Sequence, residues 1–88
     1  MNDPLFHQQA RVWVDRMLAE RPVADAPARI AWLFESGYGR LPSPSEVSAC
    51  VETLAELEAL RGAGTDPAAV WADLGHALLN ANEFLYLM

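Results

Sequence analysis

The side chains of this 88-residue chain that could do chemistry are two histidines, one cysteine and twelve carboxylates. A zinc site needs about four convergent ligands, commonly delivered as local pairs. His7 and His76 lie near opposite ends of the sequence, and neither has a second nitrogen or sulfur ligand three or four residues away. Asp73 stands one turn before His76, a pair that a surface hydrogen bond would account for. Cys50 is the single cysteine, so the chain has no internal disulfide, no Cys-x-x-Cys pair and no haem-attaching Cys-x-x-Cys-His. It falls on the apolar stripe of a predicted helix, where a thiol is buried and inert.

Nucleophiles and phosphate loops are equally unsupported. Ser36, Ser43, Ser45 and Ser48 are present, but none sits in a Gly-x-Ser-x-Gly elbow. Glu52 and Glu56 stand one turn apart on what reads as a wet helix face, where paired carboxylates are normally solvated. Gly62-Ala63-Gly64 precedes a helix without following a strand, and its nearest cation, Arg61, lies outside the loop. The three tryptophans, Trp13, Trp32 and Trp71, have the size of core residues with an indole N–H turned to the edge; an aromatic cage is the less economical reading. Arg40 sits between a helix exit and the Glu46 cap, as an ion pair or carbonyl clamp joining two helices would. The sequence therefore predicts no catalytic residue, no cofactor site and no metal site.

The elements that position these groups are helices. Ala is abundant and β-branched residues are sparse, a helical composition. The chain is 52% hydrophobic and 20% charged, which suits one globular domain, 1–88, with a single core. Net charge is −6, with six arginines and no lysine, so the basic footprint of nucleic-acid binding is missing. No run approaches the roughly 18 uninterrupted apolar residues of a membrane span, and the first residues lack a signal-peptide pattern.

Four helices and three breaks follow from local signals. The first begins after Asn2-Asp3-Pro4 and carries Phe6, Ala10, Trp13 and Met17 at helical spacing, flanked by Leu5, Val14 and Leu18, until Arg21-Pro22 ends it. The second is capped by Asp25, turns Ile30, Leu33, Phe34 and Gly37 inward with Trp32 and Tyr38 at the margins, and leaves through Gly37 and Gly39. Ser43-Pro44-Ser45-Glu46 is a capping box for the third, whose inward line is Val47, Cys50, Val51, Leu54 and Leu57 before Gly62. Asp66-Pro67 opens the fourth, with Val70, Trp71, Leu74, Leu78, Ala81 and Leu85 along one face. Asn80 with Glu83 reads as a second cap that could break this helix, so Phe84-Leu85-Tyr86-Leu87 either continues it or, as the favoured reading, packs as a short separate turn. The expected fold is all-α, a compact bundle of about four helices.

Several segments resemble one family from end to end. They are Asn2-Asp3-Pro4 with Gln9-Ala10; Ile30-x-x-Leu33-Phe34; Gly39-Arg40-x-Pro42-x-Pro44-x-Glu46; and Trp71-x-x-Leu74-x-x-Ala77-Leu78-Leu79-Asn80-x-Asn82-Glu83-Phe84-Leu85-Tyr86. The family is the C-terminal region, of unknown function, of large exported planctomycete proteins that carry a cytochrome-c-like domain nearer the N-terminus. A looser similarity is to phycobilisome-linker-like helical domains. The resemblance implies a periplasmic or secreted setting and a haem domain elsewhere in a parent polypeptide. This chain departs by lacking the haem motif and the export signal. Met1-Asn2-Asp3-Pro4 matches an interior position of that family, which implies an excised or truncated C-terminal module. The family offers no catalytic residue to carry over.

Two functions follow as expectations. A non-catalytic module that docks against a protein, or an adjacent domain of its parent chain, needs an exposed apolar strip. Val12 on the first helix and Phe84, Leu85, Tyr86 and Leu87 are the candidates, and a weak homodimer would be one expression of such a strip. A fragment of a larger enzyme, completed by other sequence, would instead gather Arg40, Asp73 and His76 into one pocket.

Overall fold

Proline at or just inside each helix start defines four helices: α1 (Pro4–Glu20), α2 (Ala26–Tyr38), α3 (Pro44–Arg61) and α4 (Pro67–Leu79). The computed structural model describes residues 4–81, apart from the side chains at positions 4 and 6. Among the described residues there is no strand, and the fold is an all-α bundle of four helices.

The starts and stops are local hydrogen-bond solutions. Asp25 caps α2 by accepting from the Ala28 amide at 3.0 Å, and Asp66 caps α4 by accepting from the Ala68 amide at 3.1 Å. Ser43 accepts from the Glu46 amide at 3.2 Å while Glu46 accepts from the Ser43 amide at 2.8 Å, a complete capping box for α3. At the end of α2, Gly39 takes φ 76°, a left-handed conformation open to glycine, and its N–H returns to the carbonyls of Phe34 and Glu35.

Each helix packs on its neighbours in sequence, and α4 closes the ring against α1, which is the most extensive of the four interfaces. The core is Ala10, Trp13, Val14 and Met17 from α1; Ile30, Leu33, Phe34 and Tyr38 from α2; Cys50 from α3; and Trp71, Leu74 and Leu79 from α4. Tyr38 and Arg29 also tie α2 to α4: the tyrosine hydroxyl donates to the Leu78 carbonyl at 2.9 Å, and Arg29 lies 5.8 Å over the Trp71 ring. The Cα radius of gyration, 12.2 Å, matches the ~12 Å of a compact domain this long.

Four expectations need correction. Tyr38 is buried, not marginal, because its hydroxyl finds an internal acceptor. Val14, predicted as a flank, is wholly buried, whereas Leu5 is 55% exposed. Val51 leaves the inward line of α3 and Val47 is only half-buried; Cys50 is that helix's one buried residue. Val51 is about 100° around the helix from Cys50, beyond Val47 and Thr53, which stand about 60° to either side and are already only half-buried. Ala81 does not extend the apolar face of α4, which stops at Leu79; it lies exposed in the following turn, and Leu85 is outside the described residues.

The α1–α4 contact is close because α4 has no side chain at its centre. A Cβ placed on Gly75 would stand 2.9 Å from Val14 Cγ2 and 3.7 Å from the Trp13 ring. Val14 is stiff at χ1 and fully buried, so it has nowhere to move. G75A should therefore lower stability by about 1–3 kcal/mol through overpacking, although alanine is intrinsically the better helix former by ~1 kcal/mol. In a V14A background the same change should be neutral or stabilising. Urea denaturation of the double-mutant cycle measures this, and a stabilised G75A single variant would show that the helices part freely.

Candidate functional site

The polar side chains singled out above are held in three separate places. At the α2–α3 junction, Arg40 donates from Nη1 to Glu46 Oε1 and from Nη2 to Glu46 Oε2, both at 2.8 Å. The guanidinium also lies 5.5 Å from the Phe34 ring centre and 5.9 Å from that of Tyr38. A planar fork meeting a carboxylate in two places sets direction as well as distance, so the exit of α2 and the entry of α3 are oriented together. The same carboxylate completes the capping box at Ser43, so Glu46 links the cap to the ion pair.

The second place joins α3 to α4. Arg61 reaches Asp73 with Nε to Oδ2 at 2.6 Å and Nη2 to Oδ1 at 3.0 Å. Sequence placed Arg61 only beside the Gly62-Ala63-Gly64 loop and paired Asp73 with His76; across-helix pairing has no local signal. The third joins α1 to α4, where the His7 and His76 rings stack with centroids 4.1 Å apart and an interplanar angle of 24°. Their distance in sequence hides this contact completely. Among the described residues, no group of three or more His, Cys, Asp or Glu is arranged to hold a metal ion.

Arg40, Asp73 and His76 thus engage Glu46, Arg61 and His7 respectively. An open concavity at the α3–α4 turn is lined by Glu58, Ala59, Gly62, Ala63, Gly64 and Thr65, and by none of those three. Cys50 is buried, and burial, with Glu46 nearby as a smaller cause, pushes its thiol up, away from the reactive thiolate. The indoles have separate partners: Trp13 Nε1–H donates to Ser36 Oγ at 2.7 Å, Trp32 Nε1–H to Glu20 Oε1 at 3.2 Å, and Trp71 lies under Arg29.

Of the interface candidates, Val12 is 61% exposed on α1, one heptad from the exposed Leu5. Phe84, Leu85, Tyr86 and Leu87 lie outside the described residues, as does Glu83. Asn80 ends α4 with right-handed backbone angles, φ −82° and ψ −8°; its N–H donates to the His76 carbonyl, and the Ala81 N–H donates to that of Leu78. An N-cap takes extended angles instead. No helix among the described residues is long and apolar enough to cross a membrane.

Glu46 carries a pH dependence whose sign is defined. Hydrogen bonds from Arg40 and then from the Ser43 amide hold its carboxyl at about 2, against an ordinary 4.5. The folded state therefore favours the charged form, so this contribution is complete above pH 4.5 and fades as pH falls towards 2. Urea midpoints across that window should fall less steeply for E46Q than for the wild type; identical slopes would remove Glu46 as the cause. No protein-family model, curated protein or solved structure matches the chain.

Proposed function

We propose that this chain is a non-catalytic helical module that docks against a second protein or an adjacent domain of a parent polypeptide. The observation that carries this reading is Val12, 61% exposed on the side of α1 opposite the buried line Ala10, Trp13, Val14 and Met17. Leu5 precedes it at 55% exposure and Ala19 follows, so positions 5, 12 and 19 form a thin apolar line at heptad spacing. Isolated exposed apolar residues are ordinary, whereas a line along one helix face is a surface another helix can use. The groups that would carry chemistry are engaged in structural pairs, which supports docking over the enzyme-fragment alternative. The resemblance to the C-terminal region of exported planctomycete proteins supports the same reading, with a periplasmic or secreted parent chain.

Light scattering on a size-exclusion column, over a tenfold concentration range, tests the weak self-association that such a line permits. The wild-type mass should climb with concentration, and V12E should remain monomeric. Because Val12 is in solvent, V12E should change folding stability by no more than about 0.5 kcal/mol. A loss well above that, or a strictly monomeric wild type, would count against α1 as the docking face.

A further inference from the structure

The six arginines of the chain are held in two different ways. Arg11, Arg40 and Arg61 each meet a carboxylate, from Asp15, Glu46 and Asp73. Arg16, Arg21 and Arg29 enter no ion pair among the described residues and are held by neutral groups instead. Arg16 lies 5.9 Å over the Trp32 ring. Arg21 donates from Nη1 to the Glu20 carbonyl at 3.0 Å. Arg29 donates from Nε to the Arg21 carbonyl at 3.1 Å and from Nη2 to the Pro22 carbonyl at 2.9 Å, with its guanidinium over Trp71. An indole face or a carbonyl oxygen positions a guanidinium without cancelling its charge.

These three cations form one patch along the corner where α1 turns into α2. Trp32, under Arg16, donates its indole N–H to the Glu20 carboxylate; the Glu20 carbonyl holds Arg21, and the Arg21 carbonyl holds Arg29. Both carboxylates of the corner have neutral donors, Glu20 from Trp32 and Asp25 from the Ala28 amide. From residue 16 to residue 32 cations outnumber carboxylates by one, in a chain whose net charge is −6. Between Arg21 and Asp25 stands Val23, 96% exposed, on a loop whose backbone is gripped by Arg29. We infer that this corner docks an acidic protein segment, whose carboxylates meet Arg16, Arg21 and Arg29 while an aliphatic side chain covers Val23. Guanidiniums already held in place lose little freedom when a carboxylate arrives, and their unused N–H groups donate to it. The sparse charge of a protein segment suits three cations set beside an apolar side chain, whereas the dense phosphates of a nucleic acid would face the negative charge of the rest of the chain. This rests on the docking-module reading and names a partner chemistry for the surface that begins one turn beyond Val12.

The test is fluorescence anisotropy with a labelled synthetic peptide of roughly ten residues built from Glu and Leu. The full chain should bind it in spite of its own negative charge, and the same peptide with Gln for Glu should bind at least about tenfold more weakly. R16Q/R21Q should also weaken binding by about tenfold or more. R11Q removes an equal charge from the same helix, but one that Asp15 already neutralises, so its affinity should stay within about twofold of the wild type. V23S, at a position in solvent, should weaken the Glu/Leu peptide and leave an all-Glu peptide unaffected. Equal binding of the Glu and Gln peptides, an R16Q/R21Q variant that binds as the wild type does, or an R11Q loss as large as that of R16Q would each overturn the proposal. A single-stranded oligonucleotide of equal charge that binds as tightly as the Glu/Leu peptide would overturn the protein segment as the partner. Absence of peptide binding, with self-association through Val12 intact, would overturn the α1–α2 corner alone. Absence of both would overturn the docking reading as well.

Discussion

The packing of α1 across α4 at Gly75 is the constraint on which the rest of the bundle depends. With no Cβ at that position, Val14 sits against the α4 backbone, and a Cβ there would come within 2.9 Å of it. That approach covers Ala10, Trp13 and Val14, all buried, and brings the first and last of the described helices together. Because α2 and α3 connect these two helices in order, closing the α1–α4 contact closes the ring. A bulkier residue at 75 would push the helices apart and loosen the whole core, since interiors are packed too densely to absorb the extra volume elsewhere.

The polar groups serve the same closure. Arg40 with Glu46 orients α3 against the end of α2, Arg61 with Asp73 clamps α3 to α4, and His7 on His76 adds an aromatic contact where α1 meets α4. Each junction of the ring after α2 thus has a directional contact beside its apolar packing. In consequence the cations of the second half are consumed internally, and the charge left facing water on α3 is acidic. The acidic outer surface of α3 is a by-product of how the fold uses its arginines.

A docking module, the function proposed here for the chain, need not contain reactive groups, and a small ring of four helices is well suited to it. The core occupies one side of each helix, so the opposite sides can vary with little effect on stability. On α1 that outer side carries Val12 and Leu5; on α3 it carries small, acidic and scattered apolar residues. The two faces differ in chemistry, which would let them recognise different surfaces.

How much of this was legible in the sequence follows the range of the interactions. Helix starts and stops are decided by hydrogen bonds between residues two to five apart, and Asp25, Ser43 with Glu46, Gly39 and Asp66 announce them by type and spacing. Helical periodicity likewise marked most of the inward line of α1 and α2. It failed on α3, where near-heptad spacing made Val51 look internal, because the width of the covered arc depends on how neighbouring helices are placed. The candidate polar residues were visible as types, but the partners of Asp73, His76 and Arg61 were not. Those pairings, like the small residue required at 75, exist only once the α1–α4 crossing and the α3 direction are set. Non-local packing decides these, and no local spacing encodes them.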